Sequence, residues 1–149
     1  MRSLCQLEEI GIGCFGCCGN SWTREGEVNR DIKKNTIRYT YHKEDLVFLH
    51  KEASSIRPSG GCYNLVQLKS GKVGCSLHPC QHNGKDLRDN ICDKNYLCKT
   101  NRLFQSWDKK KQDQFIHFLK TKILTPYEYS MGMDQGKWLK EFESLGTSD

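Results

Sequence analysis

The sequence has no long apolar run. Nothing in its 149 residues approaches the ~18 consecutive apolar residues that a membrane-spanning helix needs, so no membrane span is expected. The opening stretch, Met1-Arg-Ser-Leu-Cys-Gln-Leu-Glu-Glu, lacks an apolar core and carries acids early, which predicts no secretory signal. There is also no phosphate-binding loop, dinucleotide fingerprint, His-Glu-x-x-His pair or Gly-x-Ser-x-Gly elbow. No catalytic residues are assigned. Apolar side chains are scarce, at 36% of the chain with a mean hydropathy of -0.72. So lean a composition points to cross-links, covalent or metal, that supplement a modest core.

Cysteine is what the chain has in excess, with nine residues. A chain that is not exported meets a reducing cytoplasm, where disulfides are rare and thiols serve metals. Nine is also an odd count, which a closed set of disulfides does not explain. The formal charge of +5 has to be read with this in mind. Eight thiolates holding two divalent ions would add a net -4 and leave +1, so the basic residues serve as compensation for anionic sites and do not by themselves imply nucleic acid.

The length fits a single domain spanning 1–149. Its pattern divides into a cysteine-rich region, 1–100, and a helical region, 101–149, expected to pack on the first because it is short. Residues 5–19 form a Gly/Cys loop, Cys5 followed by Gly11-Ile-Gly-Cys-Phe-Gly-Cys-Cys-Gly19. From Thr23 to Asn35 the pattern is helical, with Val28 and Ile32 on one face and Glu25, Glu27, Arg30, Asp31, Lys33 and Lys34 on the others. Residues 36–41 alternate and are rich in β formers, which fits a strand or an extension of the helix. Leu46-Val-Phe-Leu49 is a short buried run of undetermined type. Cys62 to Leu68, a turn at Lys69-Ser-Gly-Lys72, and Val73 to Leu77 predict a β-hairpin that brings Cys62 and Cys75 together. Residues 78–101 are irregular. Ser106 is expected to cap a helix to about Leu124 that buries Phe115, Ile116, Phe118, Leu119 and Ile123, with Pro126 past its end. A second helix, about Gln135 to Leu145, presents Trp138, Leu139, Phe142 and Leu145 and stops at Gly146. The expected fold is α+β: a small, irregular, cysteine-rich, metal-centred domain with a β-hairpin and two C-terminal helices.

The thiols fall in two groups. Cys14-Phe-Gly-Cys17-Cys18 is a C-x2-C-C cluster, whose C-x2-C part can grip one ion from a tight turn. The adjacent Cys17 and Cys18 cannot easily chelate the same tetrahedral ion, which leaves two ions, a bridged cluster or one non-ligand. Cys62, Cys75, Cys80, Cys92 and Cys98 form the second group, interleaved near Cys75 and Cys80 with His78 and His82. The two histidines are either ligands, donors to ligands or exposed loop residues. Cys5 is a ninth ligand or a spare.

Three segments carry a family resemblance. Gly13-Cys-Phe-Gly-Cys-Cys18, Gly61-Cys-Tyr-Asn-Leu65 and Gly71-Lys-Val-Gly-Cys-Ser-Leu-His-Pro79 resemble the motifs of the YkgJ-like zinc- or iron-chelating cysteine-cluster family, over roughly residues 5–100. The resemblance implies that Cys14, Cys17, Cys18, Cys62 and Cys75 are metal ligands. Family members often have a further cysteine where this chain has Gly11. Cys80, Cys92 and Cys98 join the ligand set on spacing alone.

Four thiolates suit zinc and iron–sulfur alike. Zinc is the first expectation and an iron–sulfur cluster the alternative. The functional expectation is a metal-binding accessory protein acting with a protein partner. The alternatives are an iron–sulfur redox or enzyme component and a zinc-stabilised nucleic-acid-binding protein. For the last, the candidate patch is Lys109, Lys110, Lys111, Trp107, Lys120 and Lys122; a solvated helix face accounts for it as well.

Overall fold

A computed structural model of the chain describes residues 2–7, 9–45, 47 and 56–146. The architecture is α+β, with five helices and one two-stranded antiparallel sheet among the described residues. The chain forms two compact units. One holds Cys17–Tyr96 (the hairpin unit), and the other combines Met1–Gly16 with Leu97–Asp149 (the helical unit). Cys14 thus belongs to a different unit from Cys17 and Cys18.

In the hairpin unit, α1 spans Glu25–His42. Glu25 and Glu27 lie in its first turn, where carboxylates meet the partial positive charge of the helix start. Its buried face is Val28, Asp31, Ile32 and Asn35, an i, i+3, i+4, i+7 stripe. Asp31, expected on a solvated face, is turned inward, where its carboxylate accepts the Ser59 N–H at 3.1 Å. The β-prone segment 36–41 continues the helix. Thr36 shows why: its hydroxyl donates to the Ile32 carbonyl at 2.7 Å and accepts the Gln67 N–H at 2.9 Å, tying helix to strand edge. Residues 46, 48 and 49 of the short apolar run lie outside the described residues, and Val47 is exposed.

The hairpin pairs β1, Leu65–Gln67, with β2, Val73–Cys75, in the register Leu65↔Cys75, Val66↔Gly74, Gln67↔Val73. It is shorter than the sequence predicts. Cys62 sits before it in a turn, its carbonyl accepting the Leu65 N–H at 3.1 Å. Asn35, on α1, fixes that turn by donating to the carbonyls of Cys62 at 3.0 Å and Leu65 at 2.9 Å. Gly71 closes the hairpin loop with φ of +85°, a backbone conformation costly for any residue with a Cβ. Two loops, around 18–23 and 56–62, are stitched together by Cys62 N–H to the Cys18 carbonyl at 2.9 Å and Asn20 N–H to the Gly60 carbonyl at 3.0 Å. A Cβ on Gly19 would lie 2.1 Å from the Gly60 carbonyl oxygen, so this crossing tolerates no side chain there.

Among its described residues the helical unit has four helices where two were expected: α2 Lys99–Ser106, α3 Lys109–Thr121, α4 Pro126–Asp134 and α5 Lys137–Gly146. Ser106 does not cap α3. It ends α2, its hydroxyl on the Leu103 carbonyl at 2.6 Å, and Asp108 caps α3 by accepting the Lys111 N–H at 2.8 Å. Pro126 starts a helix instead of following one. Thr125 accepts the Glu128 N–H at 3.1 Å while Glu128 accepts the Thr125 N–H at 3.0 Å, a reciprocal capping box with proline at the first helical position, where its missing N–H costs nothing. The core gathers Leu4, Leu7, Phe104, Phe115, Ile116, Leu119, Tyr129, Met133 and Trp138. Ile123, expected in this core, is fully exposed, because α3 ends at Thr121 and leaves it beyond the helical repeat. Leu145 is also exposed, and Phe118 and Phe142 are partly buried.

Candidate metal centre

The hairpin unit carries Cys17, Cys18, Cys62, Cys75, Cys80 and Cys92. Cys17, Cys80 and Cys92 are exposed, and Cys18, Cys62 and Cys75 are half-buried. Cys17, Cys18, Cys62, Cys75 and Cys92 are linked by their electrostatics. Cys17 and Cys18 share a side-chain hydrogen bond, and this bond, burial, and the charges of Cys17, Cys75 and Cys62 together hold the Cys18 thiol well above its ordinary pKa. Burial pushes Cys75 up to about 11, opposed by an N–H bond from Leu77 and reinforced by Cys62 and Cys92. Cys92 is raised by burial, against the lowering influence of Arg88, and it too feels Cys62 and Cys17. Four segments of the chain, around Cys17 and Cys18, Cys62, Cys75 and Cys92, therefore bring five thiols into electrostatic reach. Crowded like charges disfavour ionisation; a cation among them reverses that preference, since metal coordination deprotonates a thiol outright.

Two of these sulfurs already receive backbone donors. The Asn64 N–H points to Cys62 Sγ at 3.4 Å, with the Asn64 side-chain amide at 3.6 Å. The Leu77 N–H points to Cys75 Sγ at 3.4 Å. Both follow the same rule: the donor lies two residues beyond the cysteine in a turn. Such N–H bonds stabilise a thiolate and orient it. The register opposite Leu65 places Cys75 at the end of β2, and the turn fixed by Asn35 places Cys62 at the start of β1. The hairpin thus brings these two cysteines within electrostatic reach, as its sequence predicts.

Arg88 is a member of the neighbourhood that sequence reasoning missed. Its guanidinium forms a two-pronged contact with Asp86, Nε to Oδ1 at 2.9 Å and Nη2 to Oδ2 at 2.8 Å. Its charge favours the thiolates of Cys75 and Cys92. The Asp-x-Arg spacing offers no signal by itself in a loop already dense in charges.

The histidines take supporting positions. His78 Nδ1 accepts the Cys80 N–H at 3.2 Å, and His82 Nε2 lies 2.7 Å from the Ser76 carbonyl. Cys80 lies in the short 3-10 turn Pro79–Gln81 that His78 caps.

The helical unit carries Cys5, Cys14 and Cys98, all half-buried. The Cys14 N–H donates to the Cys5 carbonyl at 2.9 Å. Cys98 caps α2, its sulfur accepting the Asn101 N–H at 3.4 Å, and the Asn101 amide reaches Cys5 Sγ at 3.6 Å. The buried Tyr129 phenol, whose hydroxyl donates to the Leu4 carbonyl at 2.9 Å, is pushed far up by burial and then by the charges of Cys14, Cys5 and Cys98.

Among the described residues, no group of three or more His, Cys, Asp or Glu side chains is arranged so that it could hold a metal ion as placed. The donor chemistry suits a thiophilic ion, whereas the side-chain positions bring the sulfurs into one neighbourhood and short of bonding geometry. The basic patch is engaged locally. Lys109 pairs with Asp113 at 2.7 Å, Lys122 with Glu141 at 2.7 Å, and Lys111 lies over the Trp107 ring at 4.4 Å. Trp107 itself packs edge-on against Phe115 at 5.6 Å. No helix among the described residues is long and apolar enough to cross a membrane.

No family model matches the chain, and neither a curated protein nor a solved structure matches it significantly. The resemblance to the cysteine-cluster family rests on its motif residues alone.

Proposed function

We propose that this chain is a cysteine-ligated metal-binding accessory protein whose centre lies in the hairpin unit. Four of Cys17, Cys18, Cys62, Cys75 and Cys92 bind one zinc ion as thiolates, with the remaining thiol and Arg88 beside it. The observation that carries the reading is the pair of N–H···S bonds at Cys62 and Cys75 within a group of five mutually interacting thiols. Binding draws the exposed Cys17 and Cys92 side chains inward, so that metal uptake and local ordering are one event. Because the Cys18, Cys75 and Cys92 thiols are held above their ordinary pKa, their ligation releases protons, and uptake strengthens as pH rises. The role is that of a module: the metal supplies folding energy, and a surface engages a protein partner in the reducing cytoplasm.

An iron–sulfur cluster is the second reading. It is favoured by the adjacent Cys17 and Cys18, which cannot easily chelate one tetrahedral ion together but can reach different irons of a cluster. One experiment separates the two. Untagged protein purified without oxygen is analysed for zinc and iron and scanned for visible absorption. Stoichiometric zinc with no visible band supports the first reading, and iron with a visible band supports the second. Folded protein free of both metals overturns the proposal.

A further inference from the structure

We infer that the adjacent Cys17 and Cys18 are a site of oxidative modification, closing into a reversible vicinal disulfide when the chain meets a low-molecular-weight disulfide. Their neighbouring positions keep the two sulfurs close, and the fold brings them into contact: the side chains share a hydrogen bond. The fold also gives them different tasks. Cys17 is exposed, so that a small oxidant reaches its sulfur, whereas Cys18 is half-buried. The backbone at and beyond Cys18 is anchored. The Cys18 carbonyl accepts the Cys62 N–H at 2.9 Å, Gly19 bridges to Gly61, and the Asn20 N–H donates to the Gly60 carbonyl at 3.0 Å. The second sulfur is therefore held beside the first while the first is attacked.

With glutathione disulfide as the oxidant, the Cys17 thiol gives its proton to water and its sulfur attacks one sulfur of the oxidant. A mixed disulfide forms at Cys17, and one glutathione leaves as a thiolate that takes up a proton. Cys18, losing its own proton, then attacks Cys17 Sγ. The Cys17–Cys18 bond forms, the bond to glutathione breaks, and a second glutathione leaves and is protonated. Two electrons pass from the pair to the oxidant, and no other co-reactant is needed. Adjacent Cα atoms stand about 3.8 Å apart, closer than the roughly 4.4 Å or more of most disulfides. The product is strained, and strained, exposed disulfides are the readily reduced kind, suited to a signal and not to a permanent cross-link. Closing the ring also turns the peptide between the two residues. That moves the Cys18 carbonyl and disturbs its bond from the Cys62 N–H, so oxidation is felt where the loops around 18–23 and 56–62 meet. The proposed function uses the same two thiols, but the disulfide does not depend on metal.

The test treats the full chain, reduced and kept metal-free by a chelator, with glutathione disulfide. The remaining thiols are alkylated and the products mapped by fragment-ion mass spectrometry. Wild type is expected to lose the mass of two hydrogens, with the new bond between Cys17 and Cys18, and to regain it when reduced glutathione is added. Cys18→Ser has no sulfur to resolve the adduct and is expected to accumulate the mixed disulfide at Cys17 by about tenfold or more over wild type. A wild-type chain without this bond, a first bond from Cys17 to any other cysteine, or a Cys18→Ser variant with no more adduct than wild type overturns the inference. Should that variant fail to fold, the wild-type map decides alone. Repeating the oxidation with stoichiometric Zn²⁺ separates this inference from the proposed function. Slower oxidation is expected where these thiols bind the ion; an unchanged rate removes both from the metal centre and leaves the disulfide standing.

Discussion

The two units solve the same problem of a lean composition in different ways. The helical unit concentrates large apolar side chains: Phe104, Phe115, Tyr129 and Trp138 lie in one core with Leu4, Leu7, Ile116, Leu119 and Met133, and Phe142 packs on Phe115 with ring centroids 5.0 Å apart. Among its described residues, the hairpin unit buries the hydrophobics Val28, Ile32, Leu65, Val66 and Leu77, alongside Asp31, Asn35, Ser59, Asn64 and Ser76. Burial of apolar area stabilises by about 25 cal/mol per Å², so among the described residues the first unit carries the larger hydrophobic term. The second is tied by polar groups that hold its loops and, on the proposed function, by the metal its thiols bind. A fold can therefore assign different kinds of cohesion to different parts of one short chain.

The sharpest way to break this comparison is to remove metal. On the proposed function, chelation under reducing conditions, or Cys75→Ser, is expected to release amide protection throughout 17–96 while α2 to α5 keep theirs. Structural zinc in small domains contributes on the order of 10 kcal/mol of apparent folding energy, so the loss is expected to exceed that of any single core truncation. Hydrogen exchange read unit by unit checks this. Equal loss in both units, or none in the hairpin unit, removes the distinction.

The converse test is Phe104→Ala. Phe104 is fully buried and stands 6.2 Å from both Trp107 and Phe115, ring centroid to ring centroid. Truncating a buried phenylalanine costs about 3–5 kcal/mol, through lost transfer energy and the cavity left behind. Denaturant unfolding followed by tryptophan fluorescence is expected to show that loss, with metal content of the hairpin-unit centre unchanged.

Asn35→Ala probes the polar cohesion of the hairpin unit. The side chain satisfies two carbonyls at the Cys62 turn and accepts Arg57 Nε at 2.9 Å. Removing it strands buried acceptors, each worth about 1–3 kcal/mol. A loss in this range, together with weaker metal affinity because Cys62 is no longer fixed, is the expected result. A destabilised protein with unaltered affinity would separate the turn from the site.

How much of this was legible beforehand depends on the scale of the interaction. Residues whose role is set by near neighbours were readable: the start of α1, the Lys69–Lys72 turn, the stripe Phe115, Ile116 and Leu119, and the approach of Cys62 to Cys75. Roles set by distant partners were not. Thr36 is helical because strand β1 uses its hydroxyl, and Asp31 is buried because Ser59 needs an acceptor. Neither partner is visible from the local pattern. Pro126 was read as a stop signal, although Thr125 and Glu128 around it spell a capping box, a local signal that was present and outweighed. The boundary between the units is equally invisible locally. Proximity in sequence puts Cys14 with Cys17 and Cys18, whereas the structure places it in the helical unit with Cys5 and Cys98.

A smaller effect is expected in acid. The Arg88 guanidinium, through its hydrogen bonds, holds the Asp86 carboxyl well below the usual carboxylate range. A carboxyl depressed in the folded state adds stability above its unfolded pKa, about 4, and that contribution fades as pH falls through the window below it. The Asp86→Asn variant is expected to lose the acid-dependent part of stability in this window and to match wild type once the carboxyl is protonated. An identical slope against pH in both proteins refutes the assignment.

The smallest expected effect concerns Ile123. A stripe continued from Phe115 at helical spacing puts Ile123 in the core, and a core isoleucine truncated to a polar residue costs several kcal/mol. The structure ends α3 at Thr121, where the Lys122 N–H bonds to the Leu119 carbonyl at 3.1 Å, and the chain then turns extended toward the cap at Thr125. Ile123 is left 100% exposed. Exposed positions of this kind change stability by less than about 0.5 kcal/mol, so Ile123→Ser is expected to unfold at the wild-type denaturant midpoint. A midpoint shifted by as much as that of Phe104→Ala would mean that the helical unit extends its core past Thr121. The contrast between an aromatic-packed unit and one tied by buried polar groups would then be greater than the buried residues alone indicate.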